Sequence, residues 1–145
     1  VELSSKSEYA LLALLHLADR YQDDEPLQIR QIAADQDIPD RYLEQLLATL
    51  RRGGLVKSQR GAKGGYLLSR APWSISLLDV LRCLEGADAD VTDNNGSDRN
   101  LESAIIYEIW VEVDRAANDV LQSYTLQDLK DRRDARKQLD LMYYI

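Results

Sequence analysis

Five of the chain's seven glycines fall between residues 53 and 65, and that clustering constrains the fold more than any other feature. Gly53-Gly54 closes a helical pattern running from Arg41 to about Arg52, with Leu43, Leu46, Leu47 and Leu50 facing inward, because glycine reaches the positive φ that a helix end uses. Leu55 to Ser58 and Tyr66 to Ser69 are short enough to be hairpin strands. Between them, Gln59-Arg60-Gly61-Ala62-Lys63-Gly64-Gly65 supplies the backbone freedom of a turn. A short helix followed by a second helix, a strand, a glycine-rich turn and a returning strand is the order of a winged helix-turn-helix.

The segments upstream fit that order. Tyr9, Leu11, Leu12, Leu14, Leu15, Leu17, Ala18 and Tyr21 cover more than half the circumference of a helix over residues 5–21, which predicts a largely buried first helix capped by Ser4 or Ser5. Ile29, Ile32 and Ala33 sit at helical spacing within Gln28 to Gln36. Asp37-Ile38-Pro39-Asp40 then predicts a break, since the residue before proline avoids helical geometry, followed by a cap at Asp40.

Charge is distributed unevenly. The chain has 18 basic and 25 acidic side chains, net −7, yet residues 1–70 hold ten of each sign and the deficit lies beyond them. Between residues 41 and 66, Arg41, Arg51, Arg52, Lys57, Arg60 and Lys63 are opposed only by Glu44. The acidic total excludes a surface that coats nucleic acid everywhere and leaves room for a focused basic footprint. No apolar run approaches the roughly 20 residues of a membrane span. With no secretory pattern at the start and a lone Cys83 that cannot form an internal disulfide, the expected location is the cytoplasm.

The second half holds an amphipathic helix over Ser76 to Glu85, stopped by Gly86, and a polar Asp-rich loop over 87–100. Residues 101–123 form the longest helical pattern. Ile106, Ile109, Trp110, Val113, Ala117, Val120 and Leu121 form one stripe, widened by Leu101, Ile105, Tyr107 and Val111. A helix of that length, roughly 34 Å, with so wide an apolar face predicts burial between two subunits. The charged stretch after Thr125 predicts a short solvated helix that frays, and the apolar Leu139 to Ile145 has no assigned place. The expected organisation is therefore mainly α with a small β-hairpin wing. A winged helix-turn-helix DNA-binding domain spans 1–86, a loop 87–100, a dimerisation helix 101–123 and a charged tail 124–145.

Recognition helices present polar side chains from their first turns to base edges while flanking cations neutralise phosphates. Arg41, Tyr42, Glu44 and Gln45 occupy those turns: Arg41 can pair with guanine, Gln45 with adenine, Glu44 with cytosine N4, and Tyr42 with a phosphate or a thymine methyl. Arg60 and Lys63 lie in a turn able to enter a minor groove, whose negative potential favours arginine. Ser5 and Lys6, at the start of the first helix, can hold a phosphate.

With these residues in view, the chain resembles the IscR/NsrR/CymR-like family of bacterial winged-helix regulators, the Rrf-two family. The resemblance is carried by Leu3-Ser4-Ser5-Lys6-Ser7-Glu8-Tyr9-Ala10, by Tyr42-Leu43-Glu44-Gln45-Leu46, and by Gly54-Leu55-Val56 leading into Arg60-Gly61-Ala62-Lys63-Gly64-Gly65-Tyr66-Leu67-Leu68. It extends to Tyr124-Thr125-Leu126. It implies a homodimer whose long helices cross between subunits and which binds a pseudo-palindromic operator in double-stranded DNA. Tyr42, Glu44, Gln45 and Arg60 match DNA-contacting positions of relatives, and Ser5 and Lys6 match phosphate-contacting ones. Cluster-sensing members carry three cysteines before and at the start of the long helix, whereas Asp88 to Ala104 contains none here. Tyr107 stands where some relatives place a histidine ligand, and Glu8 matches a carboxylate ligand of some members.

Three readings compete for Cys83: a small buried hydrophobe, a redox-sensitive thiol, or a ligand to an iron-sulfur cluster shared across a dimer axis. His16 reads as a satisfied core or interface histidine. Asp93, Asn95, Gly96 and Glu102 imitate part of a calcium loop whose first ligand would be Val91, a defect that argues against it. One His, one Cys and no phosphate-binding glycine motif leave little from which to build an enzyme. The expected function is a homodimeric DNA-binding transcriptional regulator, set against a redox or cluster sensor using Cys83 and a protein-interaction scaffold that kept the fold.

Overall fold

The computed structural model describes residues 2–86 and 100–143. The first helix, α1 (Ser5–Ala18), starts where Ser4 Oγ accepts the Ser7 amide at 3.1 Å. It ends three residues short of the expected Tyr21. The amides of Arg20 and Tyr21 bond back to Leu17 and Ala18 in a tighter turn, and the Tyr21 ring meets Trp73 edge-on at 5.9 Å.

Helix α2 (Ile29–Gln36) ends on Asp37 in the left-handed conformation, φ 53°. Asp40 does not cap α3 (Asp40–Arg52) as expected. The Pro39 carbonyl already accepts the Leu43 amide at 3.0 Å, so the helical ladder begins at Pro39 and Asp40 becomes the first helical residue. Its carboxylate still suits the positive end of the helix dipole.

At the other end of α3 the two glycines do different work. Gly53 keeps an ordinary φ of −79°, and Gly54 alone turns left-handed at +80°. The Gly54 amide bonds to Arg51 and the Leu55 amide to Leu50, both at 3.0 Å, a Schellman closure with buried Leu50 and Leu55 as its apolar pair.

Strands β1 (Val56–Gln59) and β2 (Gly65–Leu68) pair antiparallel, from Val56 opposite Leu68 to Gln59 opposite Gly65. Leu27 bonds both ways to Tyr66, at 3.0 and 2.8 Å, and so fastens the hairpin to the connection between α1 and α2. Helix α4 (Leu77–Glu85) opens with a reciprocal Ser76–Asp79 capping box, and α5 (Leu101–Ser123) with Asn100 accepting the Ser103 amide at 2.8 Å.

The core is one cluster, with Ala10, Leu14, Ile32, Leu43, Leu47, Leu50, Ile75 and Val80 among its members. No residue of α5 is buried. No helix among the described residues is long and apolar enough to cross a membrane. The loop expected over 87–100, with Asp93, Asn95 and Gly96 of the calcium-like pattern, lies outside the described residues apart from Asn100, while Glu102 falls in the first turn of α5.

The charged tail departs from the short fraying helix expected of it. It forms the 18-residue α6 (Leu126–Tyr143), whose first half is fastened to the body. Leu126 is fully buried and its amide bonds to the Ile75 carbonyl at 3.0 Å. Arg133 donates two guanidinium bonds, 2.9 and 2.7 Å, to Asp19 at the end of α1. Those bonds hold the Arg133 guanidinium above its ordinary pKa range, with partial burial opposing them.

Candidate nucleic-acid interface

Leucines 43, 46, 47 and 50 turn one face of α3 into the core, which leaves Arg41, Glu44 and Gln45 exposed together on the other. Residues three and four apart share a helical face, so these three present one polar surface from the helix's first turns. Tyr42 is half-buried, and its ring packs edge-on against Tyr9 of α1 at 5.5 Å. Tyr9 thus fixes where Tyr42 can reach, a support that sequence spacing does not reveal because it joins two helices.

The hairpin turn, closed by a Gly64 amide bond to Gly61 at 2.9 Å, leaves Arg60 and Lys63 exposed. Arg51 at the end of α3 donates to Ser58 Oγ of β1 at 3.3 Å, tying the wing to the helix before it. Lys63, Gln59 and Gly64 line a concavity of about 520 Å³ together with Arg20, Gln28, Gln31 and the acidic Asp24 and Glu25.

The pattern of ion pairs is informative. Arg20 pairs with Glu25, Arg70 with Asp79, and Lys130 and Arg133 with Asp19. Among the described residues Arg41, Lys57, Arg60 and Lys63 have no carboxylate partner. Cations left unpaired in a net-acidic chain are available to an external anion.

Ser5 and Lys6 are exposed at the start of α1, and Lys6 Nζ reaches the Leu84 carbonyl at 3.5 Å. Glu8 is exposed one turn on. His16 Nε2 lies 3.0 Å from Asp35 Oδ2 and links α1 to α2, giving it the polar partner expected of an interface histidine. Cys83 is partly buried between α3 and α4, with its thiol 3.5 Å from the Thr49 carbonyl. Burial pushes its pKa up, against the lowering effects of the Gly53 amide and the Arg52 charge.

The donors do not fit an iron-sulfur cluster held by one chain. Cys83 is the single cysteine, such clusters take several thiolates, and no group of three or more His, Cys, Asp and Glu among the described residues converges to hold a metal.

The apolar stripe of α5 faces outward. Ile106 is 65 %, Trp110 60 % and Ile109 56 % exposed, with Val113 and Val120 also exposed, while Ala117 is half-covered. Leu101, Ile105 and Tyr107 extend the same surface.

Residues 3–132 match a family described as Rrf2, iron-dependent transcriptional regulator. The chain is 34 % identical over 145 residues to the HTH-type transcriptional regulator CymR of Bacillus subtilis, covering 99 % of each. It is 40 % identical over 130 residues to a putative HTH-type transcriptional regulator of Synechocystis, covering 89 % of this chain and 87 % of the other. Among solved structures it is similar to T. potens IscR, with TM-score 0.76, 37 % identity and 93 % and 90 % of the two chains covered. It is also similar to B. subtilis CymR, with TM-score 0.72, 36 % identity and 91 % and 98 % covered.

Proposed function

The chain belongs to the Rrf2 family of helix-turn-helix transcriptional regulators, and from that premise we propose that it acts as a homodimer on a pseudo-palindromic operator in the cytoplasm. That it is a DNA-binding transcriptional regulator with a winged-helix fold follows from its family and its structural neighbours. In the proposed mode α3 enters the major groove, with Arg41, Glu44 and Gln45 at base edges and Tyr42 beside them. Arg60 and Lys63 bring the wing to the minor groove, and Ser5 and Lys6 take backbone phosphate. Residues 1–86 serve as the reading head and 101–123 as the dimerisation arm. The protein regulates rather than catalyses.

The observation that carries this assignment is the set of unpaired, exposed cations in the wing turn beside the exposed polar face of Arg41, Glu44 and Gln45 on α3. Dimerisation is supported by the outward stripe of Ile106, Ile109, Trp110, Val113, Ala117 and Val120, which is wider than a monomer surface normally leaves in water. Pairing two α5 helices would set the two reading heads at a fixed distance, and a two-fold dimer favours half-sites about one helical turn apart or a multiple of it.

The test is a set of variants assayed for duplex binding by fluorescence anisotropy. Arg60→Ala and Lys63→Ala weaken binding to all sequences alike and flatten the salt dependence, the log-log slope falling by roughly one for each phosphate no longer neutralised. Gln45→Ala instead relaxes the preference among bases. Unchanged affinity in all three variants removes this reading.

A further inference from the structure

Lys6, Arg52 and Arg82 come from three different elements, the first turn of α1 and the last turns of α3 and α4, and line one open concavity of about 510 Å³ with Thr49, Gly53 and Cys83. Among the described residues no carboxylate side chain lines it. Lys6 donates to the Leu84 carbonyl at 3.5 Å and Arg52 Nη2 to Thr49 Oγ1 at 3.3 Å. Among the same residues none of the three cations has a carboxylate partner.

Offset of helix dipoles accounts for only part of this charge. The C-terminal ends of α3 and α4 contribute about half a negative charge each, whereas Lys6 sits by the positive end of α1, so roughly two positive charges remain without compensation. Arg51 already lies in the last turn of α3 as well, so that end does not need Arg52. Arg82 also borders a second concavity that holds Glu2, Glu85 and Asp114, yet none of these carboxylates lines the first one, where the three cations repel one another and an oxyanion would relieve that repulsion. A phosphate offers more acceptor oxygens and more charge to three separate cations than a carboxylate does, and each guanidinium fork can donate two parallel hydrogen bonds to it.

We propose that Lys6, Arg52 and Arg82 form a binding site for a phosphate group. The proposal rests on the regulator reading where the phosphate belongs to a duplex backbone, in which case α4 joins the DNA interface through Arg82. The same chemistry would take a free phosphate, and the two sources are separated by experiment. Cys83 on the wall of the site keeps its proton and contributes no charge.

The experiment uses the full chain, wild type beside Arg82→Gln and the double variant Arg52→Gln/Arg82→Gln, with circular dichroism and melting temperature checking that each folds. In one arm, affinity for an operator duplex and for an unrelated duplex is measured across a potassium chloride series. In the other, inorganic phosphate is titrated without DNA at constant ionic strength while the backbone amide signals of Gly53 and Gly86 are followed.

If the site holds backbone phosphate, the single variant lowers the salt slope by about one and the double by about two, equally on both duplexes. Arg82→Lys then keeps the slope, because charge rather than shape sets it. If the site holds free phosphate, the amide signals shift in wild type and not in the double variant. Variants indistinguishable from wild type in both arms overturn the proposal. Failure of the regulator reading looks different: wild type then prefers no duplex and ignores Arg60→Ala, whatever the phosphate titration shows.

Discussion

Gly53 and Cys83 show how a single atom can fix a helix junction. A Cβ at residue 53 would run into Cys83 Sγ, with Cys83 Cβ only 3.2 Å away. Gly53→Ala therefore forces α3 and α4 apart and is expected to cost about 1–3 kcal/mol, the usual range for overpacking. Urea denaturation of Gly53→Ala, Cys83→Ala and the double variant checks this: the double variant recovers part of the loss, because the obstructing sulfur is gone. The thiol carries its own prediction. With its folded pKa raised by burial, the unfolded chain releases the proton first as pH climbs through the ordinary thiol range. Stability from this group is thus full below that range and is lost through it, so wild type weakens with rising pH relative to Cys83→Ala. Alkylation of Cys83 by iodoacetamide has its pH midpoint above that of a free thiol for the same reason. The glycine pair is legible in the sequence as a helix end. That Gly54 supplies the left-handed turn and Gly53 the close approach is not, since the approach depends on a residue thirty positions away. Sequence places the cap one residue late, at Asp40, because a proline carbonyl can open the helical ladder as well as a polar cap can.

At the scale of elements, amphipathic period and turn chemistry locate α2 to α5 and both strands to within a residue or so. The bounds of α5 are legible as they stand, over residues 101–123. Helix α6 reads too short in the sequence because its arginines and aspartates suggest solvent, whereas Arg133 and Lys130 reach Asp19 on α1. A local window cannot contain that pair. Leu126, fully buried, anchors the start of α6, and Leu126→Ala is expected to cost about 2–5 kcal/mol. Arg133→Ala breaks a partly exposed pair and should cost about 1 kcal/mol or less. Hydrogen exchange distinguishes the two: Arg133→Ala raises exchange within residues 126–143 and leaves α3 protected, while Leu126→Ala also loosens the turn at Ile75. The polar face of α3 is legible for a simple reason. Four leucines at helical spacing define the buried side, so the polar side follows.

For the molecule as a whole, two surfaces matter: an apolar one along α5 and a basic one around the wing. A monomer leaving Ile106, Ile109 and Trp110 in water would expose a contiguous apolar patch of the kind that marks an interface. Trp110→Asp places a charge in that surface and is expected to shift the protein from dimer to monomer in sedimentation, with operator affinity falling because two half-sites no longer bind together. The basic surface is legible from charge counts over 41–66. The concavity of Lys6, Arg52 and Arg82 is not, because its three cations come from separate elements. The most direct test of the central claim is the salt dependence of duplex binding by wild type beside Arg60→Ala/Lys63→Ala. Sequence-preferring binding by wild type, with the double variant weaker on every duplex and its log-log slope lower by about two, is the predicted result. Equal affinity and equal slope for the two proteins would contradict a wing that holds DNA.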